Sequence, residues 1–206
     1  MLDGAARVGQ LMDAVAEQKM PAIAVTDHGN TFGAFDFWKQ AKDRGINPII
    51  GIEAYLTPGT FRGDRSRVRW GDGGGDDVSG GGAYTHMTML SETTEGMHNL
   101  FRLSSRSSIE GQYFKPRADR ELLHQYSKGI IATTGCPSGE IHTRLRLGQY
   151  KEAREAAAEF QSIFGKENFF CEIMDHGLEI ERRVQKELLH LARELNIPLL
   201  ATNDLH

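Results

Sequence analysis

The sequence contains few cysteines and no long apolar run. Its only cysteines are Cys136 and Cys171, which excludes the disulfide framework that holds small secreted domains together. No apolar stretch reaches the ~20 residues that a transmembrane helix needs. The N-terminal stretch MLDGAARVGQ lacks the basic and apolar regions of a signal peptide. The sequence therefore predicts a cytoplasmic protein.

An excess of basic charge is also missing. The formal net charge is −4, so the chain has no overall positive field that would attract nucleic acid, although a local basic patch is compatible with this value. The remaining composition is ordinary, with 206 residues, 39% hydrophobic and 25% charged. These values predict one folded domain with a proper core, or at most two small domains.

Short apolar runs alternate with stretches of helical periodicity. Six runs have the length and the flanking turn residues of buried strands: 21–25, 47–56, 84–90, 128–134, 167–174 and 197–202. Five stretches have apolar positions at a helical period: 5–19, 33–44, 95–106, 150–164 and 178–195. This alternation predicts an α/β fold with parallel strands.

Residues 59–83 differ from the rest of the chain. They are rich in glycine and charge and have no apolar face, which predicts a flexible surface insertion between two strands. The segment carries four arginines, Arg62, Arg65, Arg67 and Arg69. We interpret them as solvated charges, with contacts to nucleic acid as the alternative.

Residue types that bind metals follow or flank the predicted strands. They are Asp27, His28, Glu53, His86, Cys136, Asp175, His176, Asn203, Asp204 and His206. In a parallel barrel or sheet the carboxyl ends of the strands share one face. Imidazoles, carboxylates and one thiol at that face are metal ligands, and they are too many for a single tetrahedral zinc ion. Two ions held close together can clamp both oxygens of a phosphoryl transfer.

Each of these residues also has a structural interpretation. An Asp-His pair after a strand often begins a helix, a glutamate at a strand end often forms a salt bridge, and His86 can be a core histidine with its hydrogen bonds satisfied. Cys136 between glycine and proline can be a small packing residue, and Cys171 in the middle of a strand is interpreted as core. The metal site is therefore inferred from the joint placement of these residues.

Several motifs, in their order along the chain, resemble one family. TDHGN, GIEAYL, YTHMTML, TTGCPSGE, DHGL and ATNDLH closely resemble the PHP (polymerase and histidinol phosphatase) domain. The resemblance is to the form found in bacterial replicative DNA polymerase III alpha subunits, and it extends to YFKPR (113–117) and NLFRLSSRSS (99–108). It implies a distorted (β/α)7 TIM-like barrel in which 1–206 is one PHP domain.

The resemblance also implies a set of site residues. Two or three divalent ions, zinc, manganese or iron, would be held by Asp3, His28, Glu53, His86, Cys136, Asp204 and His206. Asp27 would orient the His28 ring, and His176 and Glu172 would lie at the rim of the site. Lys115 and Arg117 are candidates for contacting phosphate, with ordinary surface charge as the alternative.

The sequence departs from the family pattern at its beginning. The family opens with an H-x-H pair on a first strand, and this sequence has neither the pair nor that strand. We therefore expect a barrel incomplete at the N-terminus, a chain cut just after its final ligand pair, and weakened metal binding.

The resemblance implies a metal-dependent phosphoesterase, acting as a 3′–5′ proofreading exonuclease within a DNA-directed DNA polymerase. The implied partners are the 3′ end of a DNA primer, the rest of a polymerase chain, and replisome subunits such as the sliding clamp and the clamp loader. One alternative is a structural module that stabilises the polymerase or docks a separate exonuclease. A free-standing phosphatase of the histidinol-phosphatase type is a further alternative.

Overall fold

A computed structural model describes residue 4 and residues 6–72, 77–204 and 206. The strands of these residues are β1 (Ala22–His28), β2 (Asn47–Leu56), β3 (Thr85–Ser91), β4 (Gln112–Tyr113), β5 (Lys115–Ala118), β6 (Ile130–Thr133), β7 (Phe169–Ile173) and β8 (Leu199–Ala201). The helices are α1 (Val8–Glu17), α2 (Ala34–Asp43), α3 (Ser79–Gly82), α4 (Thr94–Glu110), α5 (Arg120–Tyr126), α6 (Glu140–Arg146), α7 (Tyr150–Phe164) and α8 (Glu179–Leu195). None of the helices in this part of the chain is long and apolar enough to cross a membrane.

The strands form one curled sheet in the order β4-β5-β2-β3-β6-β7-β8, and β1 also pairs with β2. β2 is long enough to pair with β1 along its first part and with β5 at Tyr55 and Leu56. Helices pack against the sheet, as the alternating sequence pattern predicts. The predicted α/β, barrel-like fold class is therefore confirmed.

Two strands correct the expectation of parallel strands throughout, because β4 runs antiparallel to β5 and β3 is antiparallel as well. β3 runs antiparallel to both of its neighbours, β2 and β6. The chain between β2 and β3 returns to the end of the sheet that it left, instead of crossing over through a helix, and such a return produces an antiparallel pair. An apolar run carries no information on strand direction. The first residues of β3 consequently lie at the same end of the sheet as the last residues of β2.

The hydrophobic core has a large part and a small part. The large cluster fills the space between the sheet and helices α4 to α8, and includes Met89, Phe160 and Phe169. The small cluster packs α1 and α2 against β1 and β2, with Met12 and Phe37 almost completely buried. The predicted core position of Cys171 is confirmed, since its side chain is 0% exposed.

The segment between β2 and β3 is attached to the domain by two buried arginines. The expectation that Arg62 is a solvated charge is wrong, because it is 5% exposed and donates to both carboxylate oxygens of Asp119. An arginine loses its hydration only where carboxylates or carbonyls replace the water. Arg65, Arg67 and Arg69 are exposed, as predicted.

Arg117 is the second attachment point. Its guanidinium donates to the backbone carbonyls of Gly111, Ala83, Arg62 and Asp64, at 3.1, 3.1, 3.0 and 2.7 Å. The side chain is 1% exposed, and its burial lowers the pKa of the guanidinium from the ordinary value. With all of these donors engaged, Arg117 ties both ends of the inserted segment to β5.

Candidate metal centre

Strand register places three of the predicted ligands side by side. His28 is the last residue of β1 and lies opposite Glu53 of β2. On the other side of β2, the antiparallel β3 places His86 opposite Tyr55. Residues two apart on a strand share a face of the sheet, so Glu53 and Tyr55 point the same way and His86 reaches the Glu53 carboxylate.

Glu53 is the centre of the cluster. Its side chain is 2% exposed, and its Oε1 lies 3.0 Å from His86 Nδ1 and 3.5 Å from Cys136 Sγ. His28 Nδ1 lies against its other oxygen, Oε2, and His206 Nε2 lies 3.7 Å from Oε1. A single buried carboxylate therefore contacts three imidazoles and a thiol.

His206 is oriented by the backbone of β1. Its Nδ1 lies 2.9 Å from the carbonyl oxygen of Thr26 and 3.0 Å from the Thr26 hydroxyl. A carbonyl oxygen only accepts, so Nδ1 carries the proton, and Nε2 faces Asp204 Oδ1 at 3.2 Å. This arrangement presents Nε2, with its lone pair in the neutral ring, toward the centre of the site.

The pKa values of Glu53 and His206 reflect the charged groups packed around them. Burial raises the pKa of Glu53, but the hydrogen bond from His86 and the nearby charges of His86, His206 and His28 outweigh it and lower the value to about 2. Burial lowers the pKa of His206, but Asp204, Glu53 and the Thr26 carbonyl raise it to about 9. Near neutral pH, the protonated ring of His206 therefore lies between two carboxylates, those of Glu53 and Asp204.

Cys136 responds in the opposite direction. Burial, together with the negative charges of Glu53 and Asp204, raises the pKa of its thiol far above the ordinary value. A thiolate forms at this position only if a cation is present to compensate its charge. The thiol is 6% exposed, so solvent provides little compensation.

These residues fit divalent metal ions. Ligand atoms of His28, Glu53 and His206 lie within 4.8 Å of one another, and so do those of Glu53, His86 and Cys136. Glu53 Oε2 is buried and has no hydrogen bond of regular geometry, although His28 Nδ1 lies beside it. Two overlapping sets that share Glu53 match a centre of at least two ions with nitrogen, oxygen and sulfur ligands. Asp3, the remaining predicted ligand, lies outside the described residues.

Asp27, which was predicted to orient the His28 ring, contacts a backbone group of the loop that follows. Its Oδ2 accepts a hydrogen bond from the backbone N–H of Gly33, at 2.6 Å. Gly33 is the N-cap residue of α2, so Asp27 supplies an acceptor to the first turn of that helix. This interaction fixes the loop that follows His28.

His176 lies where it can position Asp204. Its Nδ1 is 2.5 Å from Glu181 Oε1, and its Nε2 is 3.0 Å from the carbonyl oxygen of Asn203. Asp204, the next residue, has a φ of +50°, a conformation that costs energy outside glycine and needs support. His176 and Glu181 provide that support from the start of α8.

The remaining predicted residues are Lys115, Arg117 and Glu172, and they differ in exposure. Lys115 is exposed, and its Nζ lies 5.3 Å from the centroid of the Tyr55 ring, at the rim of the site. Arg117 is buried with its donors engaged by carbonyls, so we do not retain it as a phosphate contact. Glu172 is not a rim residue, because it is 3% exposed and accepts hydrogen bonds from Thr133 and Thr202.

Sequence reasoning missed two residues that shape the site. Tyr55 lies between the ligands, with its ring centroid 5.1 Å from that of His86 and 6.4 Å from that of His28. Its position two residues after Glu53 on one strand was a usable signal. Thr26 was missed because its role depends on a contact with His206, 180 residues later in the chain.

Comparisons with known proteins identify the family of this chain. Residues 1–176 match the model of the PHP domain, and the chain belongs to the PHP domain family. It is 59% identical to the DNA polymerase III subunit alpha of Saccharopolyspora erythraea, and 56% identical to that of Mycobacterium tuberculosis (strain H37Rv). Both alignments cover 100% of this chain but 18% of the relative's length.

A solved structure shares the fold at low identity. An amidohydrolase from Chromobacterium violaceum, solved with bound sulfate and no metal, superposes with a TM-score of 0.55 over 99% of this chain and 84% of its own. The sequence identity is 14%, so this likeness concerns the fold alone.

Proposed function

We propose that this chain is the PHP portion of a DNA polymerase III alpha subunit, and that it hydrolyses phosphodiesters as a 3′–5′ proofreading exonuclease. The observation that carries the proposal is the Glu53-centred set of ligands at one rim of the sheet. Family membership and similarity to two alpha subunits support the same assignment. The 3′ end of a DNA primer would be the substrate.

The ligands would be divided between two ions. His28, Glu53 and His206 would hold one, and Glu53, His86 and Cys136 the other, with Asp204 beside His206. When bound, such ions neutralise charge on a phosphodiester and lower the pKa of water. A set of imidazole, carboxylate and thiolate ligands suits zinc, manganese or iron.

The chain's other residues would hold this centre in place and bind the substrate. Thr26 fixes the tautomer and ring orientation of His206. His176 supports the turn that carries Asp204. Lys115 presents its ammonium group at the rim, beside Tyr55, where it would pair with a phosphate oxygen.

A second candidate is a structural role, in which the domain stabilises the polymerase chain or docks a separate exonuclease. The buried attachment of the inserted segment through Arg62 and Arg117 is compatible with a rigid scaffold. The crowding of six ligand residues around one site favours catalysis over this role, because a scaffold does not need it. The remaining partners that we propose are the rest of a polymerase chain, a sliding clamp and a clamp loader.

The test uses the full-length protein without deoxynucleotide triphosphates, so that polymerisation does not contribute. We expect release of mononucleotides from a 3′-mismatched primer when manganese or zinc is added, and loss of that release in Asp204→Asn. Absence of release from a protein that still binds metal would contradict the exonuclease and support the structural role.

A further inference from the structure

A short hairpin stands next to the metal centre. It consists of β4 and β5, with Tyr113 paired to Lys115 and Phe114 at the turn between them. Lys115 Nζ lies 5.3 Å from the Tyr55 ring, and the Tyr55 ring contacts both His86 and His28. The tip of the hairpin therefore continues the rim of the site outward.

Phe114 is an unfavourable residue for this turn. Its φ is +61°, in the left-handed region, which is unfavourable for a residue other than glycine. Its ring is 59% exposed, so it gains little from burial. Glycine or asparagine would form the turn at lower cost. Folding alone does not explain a phenyl ring at this position.

One cation and one aromatic ring, those of Arg67 and Tyr113, lie beside Phe114. The guanidinium carbon of Arg67 lies 4.9 Å from the centroid of the Phe114 ring, and Arg67 Nε lies 3.4 Å from the Tyr113 hydroxyl. Arg65 and Arg69 are exposed on the same segment as Arg67. Two acidic residues close in the chain to the hairpin and to Arg67 already have partners, since Glu110 pairs with Arg62 and Arg106 and Asp64 bonds to Ser66.

An exposed aromatic ring with cations beside it is the arrangement by which proteins bind single-stranded nucleic acid without reading its sequence. Bases stack on the ring, while the cations neutralise phosphates. Phe114 adjoins Lys115 in the chain, and consecutive Cα atoms lie about 3.8 Å apart. Lys115 in turn adjoins the ligands through Tyr55, whose ring centroid lies 5.3 Å from Lys115 Nζ and 5.1 Å from the centroid of the His86 ring. Phe114 is therefore the next residue outward from the metal ligands along this rim.

We propose that Phe114 and Arg67 form a stacking platform for a base of single-stranded DNA whose terminal phosphodiester lies at the metal centre. Lys115 contacts this same phosphodiester, which joins the stacked nucleotide to the terminal one. This inference rests on the proposed hydrolytic function and adds to it a binding subsite for the substrate strand.

The experiment compares two substrates in the full-length protein with manganese and without deoxynucleotide triphosphates. One is a single-stranded oligonucleotide, and the other is thymidine 5′-(p-nitrophenyl phosphate), which has one nucleoside and is too short to reach the platform. The variant is Phe114→Asn, because asparagine tolerates the left-handed turn and the protein should fold at least as well. Phe114→Trp restores a ring, and Phe35→Ala removes an exposed ring on α2 as the matched control.

We expect Phe114→Asn to raise KM for the oligonucleotide roughly 10- to 100-fold, the loss expected for one stacked base, with kcat within about twofold. Thymidine 5′-(p-nitrophenyl phosphate) should be hydrolysed as by the wild type. Phe114→Trp should restore KM, and Phe35→Ala should leave it unchanged. An unchanged KM in Phe114→Asn, in a protein that hydrolyses the small ester, would overturn the platform and leave the proposed function intact.

A crosslinking measurement applies if neither substrate is hydrolysed, which is the result that contradicts the proposed function. An oligonucleotide with 5-iodouracil at the second position from its 3′ end is irradiated with the full-length protein. Crosslinks within 113–115 that are lost in Phe114→Asn would support the platform as a DNA-binding site independent of catalysis. Their absence would overturn it and would leave a protein partner as the occupant of this surface.

Discussion

The molecule contains two clusters of buried charge that are built in opposite ways. Around Arg62, a buried guanidinium is matched by Asp119, with Glu110 and Glu121 at its edge, at distances of 2.6 to 3.1 Å. Around Glu53, a buried carboxylate is surrounded by imidazoles, which carry positive charge only when protonated, and by a thiol, which is neutral when protonated. In the first cluster, carboxylates among the described residues compensate the guanidinium of Arg62. In the second cluster, the negative charge of Glu53 is compensated only when the imidazoles are protonated or a cation is bound.

The difference shows how a structural cluster is distinguished from a functional one. Buried charges that match each other are costly to disrupt, but they have no unfilled coordination. A buried carboxylate that raises the pKa of its neighbours and has an oxygen without a regular hydrogen bond has capacity for a cation. Burial of a charged residue therefore does not by itself indicate a functional site. The groups that contact the residue distinguish a structural cluster from a metal site.

The largest expected effect is that of Glu53→Gln. Because Glu53 belongs to both ligand sets, we expect phosphodiester hydrolysis to fall by a factor of at least about 100, as for the loss of other major electrostatic contributions to catalysis. Bound metal, measured by mass spectrometry of the purified protein, should fall with it. The melting temperature in chelator should also fall at neutral pH, because a carboxylate whose pKa is lowered in the folded state stabilises that state above its unfolded pKa. Normal metal content would contradict the central role of Glu53.

Arg62→Met should affect stability instead. It leaves the Asp119 carboxylate, which is 5% exposed, without its cation, and breaking a buried pair costs about 3–5 kcal/mol. Urea unfolding measures the change in free energy of unfolding. Arg65→Met, an exposed arginine three residues later, is the matched control and should change this free energy by less than about 0.5 kcal/mol. Equal effects of the two variants would show that the Arg62 cluster is not structural.

His176→Ala tests a residue that acts through its neighbour. Removal of the imidazole frees the Asn203 carbonyl and the turn that holds Asp204. We expect metal affinity to fall about 10-fold, the lower end of the range for residues that orient ligands. His176→Gln, which keeps a donor, should recover part of the loss. Titration of the metal-free protein with zinc, in competition with a chromophoric chelator, measures both variants, and wild-type affinity in His176→Ala would argue against this positioning role.

The sequence predicts the elements better than it predicts their relations. β2 and α7 have the predicted bounds, 47–56 and 150–164, because a continuous apolar run and an amphipathic period are local signals. β4 and β5 were missed because they have only two and four residues and contain no apolar run. The direction of β3 was not predictable either, since the same apolar run suits both directions.

The candidate site shows the same limit. The residue types of His28, Glu53, His86, Cys136, Asp204 and His206 indicated ligands, and the structure brings these residues together. The burial of Arg117 had no local signal. Its acceptors are backbone carbonyls of residues 62, 64, 83 and 111, and carbonyls are present at every position of a chain. Partners that depend on tertiary contacts between backbone groups leave no pattern in the sequence.

The smallest expected effect is that of Glu172→Gln, which removes a buried charge belonging to neither cluster. Burial raises the pKa of Glu172 above the ordinary value of 4.5, despite hydrogen bonds from Thr133 and Thr202. A carboxyl whose pKa is higher in the folded state binds its proton more tightly there. Its contribution to stability is therefore full below the unfolded pKa and is lost as pH rises through the folded one.

Glutamine stays neutral at every pH, so the variant should gain stability relative to the wild type as pH rises from about 4 toward 8, by about 1 kcal/mol at the upper end. Urea unfolding at several pH values, with metal removed from both proteins, measures this difference. Glu187→Gln, on the exposed face of α8, should show no such trend. A difference independent of pH would mean that the hydroxyls of Thr133 and Thr202 compensate the charge of Glu172 fully, as Asp119 does for Arg62.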